Sequence, residues 1–172
     1  MDAEGLECLT IALLANSLGV MPPSLYNHVA SLDRLKDALT HRAVLLLLDS
    51  SRDSLAGVAG QDALNALGHL QRQFAKVHPG LWAAMQLPLV GWSEVTQSAA
   101  DAYLGLVLAV RRGYGATGDS AVHAARVIRA SLRGFIDLEL GGGFGLPQDV
   151  DLSFSILLNM MHTSLKIVQK RS

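Results

Sequence analysis

The chain carries a single cysteine, Cys8, in 172 residues, so no internal disulfide framework can hold it together. That usage fits a reducing compartment, and the expected location is the cytoplasm. Aromatic residues make up only 5% of the sequence. Leu, Ala and Val must therefore fill the core, a composition suited to packed helices. Charge is scarce as well: 17% of residues are charged against 50% hydrophobic, with a net charge of −1. Low charge with high hydrophobicity excludes a disordered chain. Near-neutrality excludes a global attraction to nucleic acid or to an anionic membrane. The apolar runs, such as Val44–Leu48 and Leu104–Val110, are too short to cross a bilayer. No basic start followed by an apolar segment marks a secretory signal.

Strict alternation of apolar and polar residues, which half-buried strands need, is also missing. Helical spacing is present instead. Ser31 is placed to cap a long helix from about Leu32 to Ser54, with Leu35, Leu39, Ala43 and Leu46 on one stripe. Further helices are expected from about Asp62 to His78, Leu81 to Gln86 and Trp92 or Ser93 to Arg112. The last two are expected from Asp119, read as an N-cap, to Leu140 and from Asp151 to Lys170. Gly57/Gly60, Pro79-Gly80, Pro88/Gly91, Gly113/Gly115/Gly118 and the Gly141–Pro147 run separate them. The fold class is all-α, with roughly eight helices and no internal repeat.

The most informative stretch is Leu9–Leu39. Thr10 can N-cap a short helix, because its hydroxyl can satisfy an orphan backbone N–H. Ile11, Leu14, Ala15 and Leu18 give that helix one apolar face, and Gly19 supplies the left-handed residue that ends it. Val20 is expected as an apolar plug between helices. Pro22 and Pro23 lack N–H donors and fit only the first turn of a second helix. Leu25 and Val29 then turn inward, while Ser24, Tyr26, Asn27 and His28 face out. Two short helices around a tight Gly turn, the second with polar tips, describe a helix-turn-helix whose second helix can enter a DNA major groove.

These residues resemble the DNA-binding head of the TetR family of transcriptional regulators. LTIALLANSLGV is similar to the family's second helix and turn, PPSLYNHV to its recognition helix, and SLDRLKDAL to the start of its fourth helix. Leu25-Tyr26-Asn27-His28-Val29 is the most specific element. The segment Leu132-Arg133-Gly134-Phe135-Ile136-Asp137-Leu138-Glu139, followed by Gly142-Gly143-Phe144, resembles a TetR C-terminal domain. Leu132 and Arg133 depart from the usual aromatic and His there. The resemblance implies a head over residues 1–45 and a helical ligand-binding and dimerisation body over residues 46–172. Family members carry one more helix before the first seen here; the expectation is a head lacking that helix, through a start upstream of Met1 or natural shortening.

On this resemblance Thr10, Pro22, Pro23, Ser24, Tyr26, Asn27 and His28 occupy positions that meet DNA. Asn27 has the chemistry to bond an adenine edge. The hydroxyls of Thr10, Ser24 and Tyr26 suit phosphate oxygens. Charge argues the other way: between Met1 and Arg42, three cations (Arg34, Lys36, Arg42) face five anions (Asp2, Glu4, Glu7, Asp33, Asp37), a net −2. Leu32 also stands where the family commonly places a phosphate-contacting Lys.

The resemblance further implies a small-molecule pocket, for which Phe74, Trp82, Met85, Leu89, Trp92 and Tyr103 are candidates. It implies a homodimer through the last two helices. Their apolar stripes are Ala121, Ala125, Ile128, Leu132 and Phe135, and Phe154, Leu158, Met161 and Leu165.

No metal site or cofactor is expected. Asp37 and His41, at i and i+4, lack a third ligand and read as a salt bridge. Asp137 and Glu139 do not share a helix face. The Gly141–Gly145 run has no following Lys-Ser/Thr, and no nucleophile elbow exists, so no enzyme is expected. The implied function is a ligand-responsive repressor binding a palindromic operator as a homodimer. The alternative is a ligand- or partner-binding helical dimer that has lost DNA binding with its short N-terminus.

Overall fold

The Thr10 side chain opens the first helix. In the computed structural model, which describes residues 9–88, 91–115 and 118–169, its Oγ1 accepts the Leu13 N–H at 3.1 Å. The helix α1 (Ile11–Ser17) ends where Gly19 takes φ +67°, a conformation that costs a side-chain-bearing residue about 1–2 kcal/mol. In α2 (Pro22–Tyr26) the two prolines occupy the first turn, where a missing N–H loses no helical bond. This helix is shorter than the sequence suggests, although the Val29 N–H still reaches the Leu25 carbonyl at 2.8 Å. Val20 does not plug the gap between the helices; it is 42% exposed. Ile11, Ala15 and Leu25 close that small core themselves.

Ser31 caps α3 (Leu32–Leu55), its Oγ accepting the Arg34 N–H at 3.2 Å. The remaining helices are α4 (Gly60–Val77), α5 (Pro79–Met85), α6 (Glu94–Arg112), α7 (Gly118–Leu140) and α8 (Val150–Gln169). No strand forms among the described residues. Asp119 lies inside the first turn of α7 rather than at its cap, where its charge still complements the helix dipole. On α6, Ala99 and Val110 are buried, while Val95, in the helix's first turn, is 62% exposed.

Helix α4 touches α3, α5, α6, α7 and α8 and is the centre of the body. Its buried stripe is Leu64, Leu67, Phe74 and Ala75. Gly68 on the same stripe lets α8 approach: a Cβ there would lie 2.6 Å from Leu158 Cδ2 and 3.4 Å from Leu132 Cδ2. This close approach corrects the expectation for the last two helices. Ile128, Leu132, Phe154, Leu158, Met161 and Leu165 are all at most 4% exposed and pack with α4 in one cluster. Phe135 packs against them, with ring centroids 5.0 Å from Phe154 and 4.8 Å from Phe144. These side chains fill one protomer's core, because each helix turns its more continuous apolar stripe toward α4. Ala121 and Ala125 are half-buried on α7.

One charged cluster lies beside this core. Arg72 of α4 is 7% exposed and grips Glu139 of α7 in a two-pronged contact, Nη2 to Oε1 at 2.6 Å and Nε to Oε2 at 2.7 Å. Its Nη2 also lies 2.7 Å from Asp151 Oδ1 at the start of α8, and Lys76 Nζ lies 2.8 Å from Glu139. The guanidinium sits 4.7 Å from the centre of the Phe154 ring. Three helices are joined at this point. Hydrogen bonding from Arg72 holds the Glu139 carboxyl down at about 2, from an ordinary 4.5.

Because the folded value is depressed, the stabilisation from Glu139 is complete above about pH 4.5 and is lost as pH falls toward about 2. Thermal melts across that window are expected to fall steeply for the parent chain and much less for Glu139→Gln. At neutral pH the same variant is expected to be destabilised by on the order of 3 kcal/mol, since it removes the two-pronged partner of a buried guanidinium and leaves it only the exposed Asp151 carboxylate.

Candidate nucleic-acid interface and ligand cavity

Packing of Ile11, Ala15 and Leu25 into the small core turns the opposite sides of α1 and α2 outward. Thr10, Pro23, Ser24, Tyr26, Asn27 and His28 are exposed on the head, and Pro22 is half-buried. Tyr26 is 58% exposed, unusual for an aromatic residue, and Met21 nearby is 71% exposed. From Leu9 to Ser31 the chain has no Asp, Glu, Lys or Arg. This surface therefore offers hydroxyls, an amide, an imidazole and backbone N–H groups, but no fixed charge. Such groups position a protein on DNA and read base edges, while the salt-dependent attraction to phosphate must come from elsewhere.

The head is seated on the body through α3 and α5. Leu9, Leu14, Leu32, Leu35 and Leu39 pack with Ala83, Ala84 and Leu87. Two polar bonds fix this seat. The Thr40 hydroxyl donates to the Ala84 carbonyl at 3.0 Å, fully buried. The Asp37 carboxylate accepts the Ser93 N–H at 3.2 Å, just before α6. Burial pushes the Asp37 carboxyl up, but hydrogen bonds from Thr96 and Ser93 outweigh it and hold it below its ordinary value. The expected Asp37–His41 salt bridge is replaced by these contacts and by Arg34 at 4.0 Å. No group of three metal-ligating side chains occurs among the described residues.

Between α5, α6 and α7 lies a cavity of about 320 Å³, at the small end of the roughly 300–1,000 Å³ usual for ligand sites. Trp82 and Met85 of α5, Trp92 ahead of α6 and Tyr103 of α6 line it, as do Val44 of α3 and Val107 of α6. Phe74, also a pocket candidate, does not line it. Phe74 is buried in the α4 core with its ring centre 5.2 Å from that of His78. Leu89 lies outside the described residues. Ala125 and Ile128, read as subunit contacts, stand in the cavity wall.

Polar groups that sequence spacing did not single out complete the site. Gln71 donates to the Tyr103 hydroxyl at 2.7 Å, and burial pushes the phenol up to about 12, so it stays protonated. Arg126, Arg129 and Arg133 of α7 reach the same cavity. Their i, i+3, i+7 spacing is visible in the sequence, yet a stripe of arginines on a helix usually marks only a solvated face. Asp137 accepts from Trp82 Nε1 at 2.7 Å and from Arg133 Nε at 3.2 Å, holding the indole in place. Among the described residues no helix is long and apolar enough to cross a membrane.

Comparison with known proteins agrees with this architecture. Residues 64–161 match the family described as Tetracyclin repressor-like, C-terminal domain. The chain is 36% identical over 152 residues to the uncharacterized HTH-type transcriptional regulator Rv0681 of Mycobacterium tuberculosis, covering 88% of this chain and 68% of that protein. It is 34% identical over 159 residues to the uncharacterized HTH-type transcriptional regulator YobS of Bacillus subtilis, covering 90% of this chain and 82% of that protein. The fold is shared with the crystal structure of the TetR family transcriptional regulator PfmR from Thermus thermophilus, at a TM-score of 0.64 and 16% identity over 96% of this chain and 90% of that one. A family match over more than half its length, together with these relatives, establishes that the chain belongs to the TetR family of transcriptional regulators.

Proposed function

We propose that this regulator is a ligand-responsive repressor that binds a palindromic operator as a homodimer. The observation that carries the reading is a pair of bonds, the buried one from Thr40 to Ala84 and the half-buried one between Asp37 and Ser93, which join the head's supporting helix to the segments that wall the cavity. Trp82 and Met85 stand on the helix that holds Ala84, and Trp92 adjoins Ser93. A ligand that displaces these side chains acts on α3 through bonds already in place. It shifts the two heads relative to each other and off the spacing of the half-sites. In this reading Asn27 contacts a base edge, and Thr10, Ser24 and Tyr26 contact phosphates.

The dimer uses the faces of α7 and α8 that the core leaves free. Leu152, Ile156 and Met160 form an i, i+4, i+8 stripe on α8, each more than half exposed, and Val127 and Leu138, at i and i+11 on α7, are also more than half exposed. Apolar stripes of this kind on a soluble chain are covered by a partner, and two helices from each copy make a four-helix bundle. The head's net charge of −2 over residues 1–42 supports the second reading, a dimer that senses a ligand or partner without binding DNA.

Selection from random duplexes separates the two readings. A repressor is expected to enrich an inverted repeat, with affinity falling steeply as salt rises. Asn27→Ala is then expected to weaken that site by about 1–3 kcal/mol and relax one base position. Absence of any enriched repeat would favour the DNA-free dimer. Ile156→Glu is expected to yield folded monomers by sedimentation, whereas Leu158→Glu, on the core face of the same helix, is expected to unfold the chain. Thr40→Val keeps the shape of the seat but leaves the Ala84 carbonyl without the hydroxyl's bond. It is expected to leave DNA affinity without ligand near the parent value and to blunt release by ligand, read as a smaller ligand-induced change in operator affinity.

A further inference from the structure

The three arginines at the cavity do not have the same surroundings. Arg133 is committed to Asp137, the carboxylate that also holds the Trp82 indole. Arg126 and Arg129 have no carboxylate within 4.0 Å among the described residues. Asp101 of α6, the one acid in the cavity wall among the described residues, accepts from Gln97 Nε2 at 2.9 Å on the same wall and pairs with neither arginine. Two like charges three residues apart on a helix repel, so the fold gains nothing from placing them together. Both nevertheless reach one cavity, which Trp82, Met85, Trp92 and Val107 also line. A guanidinium presents parallel N–H groups that match the two oxygens of a carboxylate. Deeper in the cavity the Tyr103 hydroxyl accepts from Gln71 and keeps its own proton to donate.

We propose that the cavity takes an anion with an apolar body, its carboxylate or similar head held by Arg126 and Arg129 and its body against Trp82, Met85, Trp92 and Val107. This rests on the reading of the cavity as the effector site and adds the chemical class of the effector. The asymmetry of the walls sets the orientation: the arginines are exposed at the mouth, so the head remains near solvent while the tail enters. A neutral molecule of the same shape gains only the apolar contact. A cation meets two like charges and is rejected.

The test is calorimetric titration of the full chain with decanoate, decanol and decylamine, probes of one length and three charges. Decanoate is expected to bind about tenfold or more tighter than decanol, the worth of charge-assisted hydrogen bonds at a partly exposed site, and decylamine more weakly than either. Arg126→Gln/Arg129→Gln is expected to reduce decanoate affinity to that of decanol while decanol binding stays at the parent value. Arg129→Lys in an otherwise parent chain is expected to keep part of the preference. Equal binding of decanoate and decanol overturns the anion assignment and leaves the cavity as an apolar site. A preference for decanoate that survives the double substitution also overturns it. Binding of none of the three probes, with Trp82 and Trp92 fluorescence unchanged, overturns the cavity reading itself and the assignment with it.

Discussion

A single continuous helix, α3, belongs to two hydrophobic clusters at once, and the geometry of the molecule depends on it. Leu32, Leu35 and Leu39 pack with the head side of the chain, while Ala43 and Leu47 are buried in the body core. A helix does not bend freely between such anchors, since each backbone bond along it would have to be disturbed. The 45/46 division between head and body read from the sequence therefore falls within one rigid rod. Thr40 and Asp37, the polar contacts of that rod, reach the two chain segments that border the cavity. The head is thus oriented by the same surfaces that a ligand would touch.

The body is stiffened on its other side by close packing and one charge cluster. Gly68 removes a side chain where α8 crosses α4, and Arg72 ties α4 to the end of α7 and the start of α8. Arg72 sits against the Phe154 ring, so its charge is partly removed from water and its carboxylate partners matter more than exposed ones would. Polar pairs such as Arg52 with Asp49 are exposed and add little. Close α4–α7–α8 packing thus lies beside the α5–α6–α7 cavity, with α7 shared by both.

The helix-turn-helix was legible because its signals are local. A hydroxyl before an apolar run, a glycine after it and prolines in the next first turn act within a few residues, and the structure places Thr10, Gly19, Pro22 and Pro23 in those roles. The Val20 expectation failed because the inward or outward sense of a residue in a tight turn depends on what the turn packs against. Ile11, Ala15 and Leu25 already filled that space. Trp82, Met85, Trp92 and Tyr103 line the cavity, since large side chains clustered near α5 and α6 had little else to enclose. Phe74 went to the core, on the strongest apolar stripe of α4.

By itself, the sequence determined the all-α class, the order and approximate extent of the helices, the head motif and the family. All of these rest on spacing along the chain, which folding does not alter. Only the tertiary structure decided which of two apolar stripes on α7 and α8 faces inward. On α8, Phe154 and Leu158 were buried where the helix meets Gly68 of α4, while Leu152, Ile156 and Met160 were left outside. Both stripes have helical period, so periodicity cannot rank them; the packing partner does. The same holds for Arg126 and Arg129, whose surroundings depend on a cavity walled by Trp82, Met85 and Trp92, more than twenty positions away in sequence.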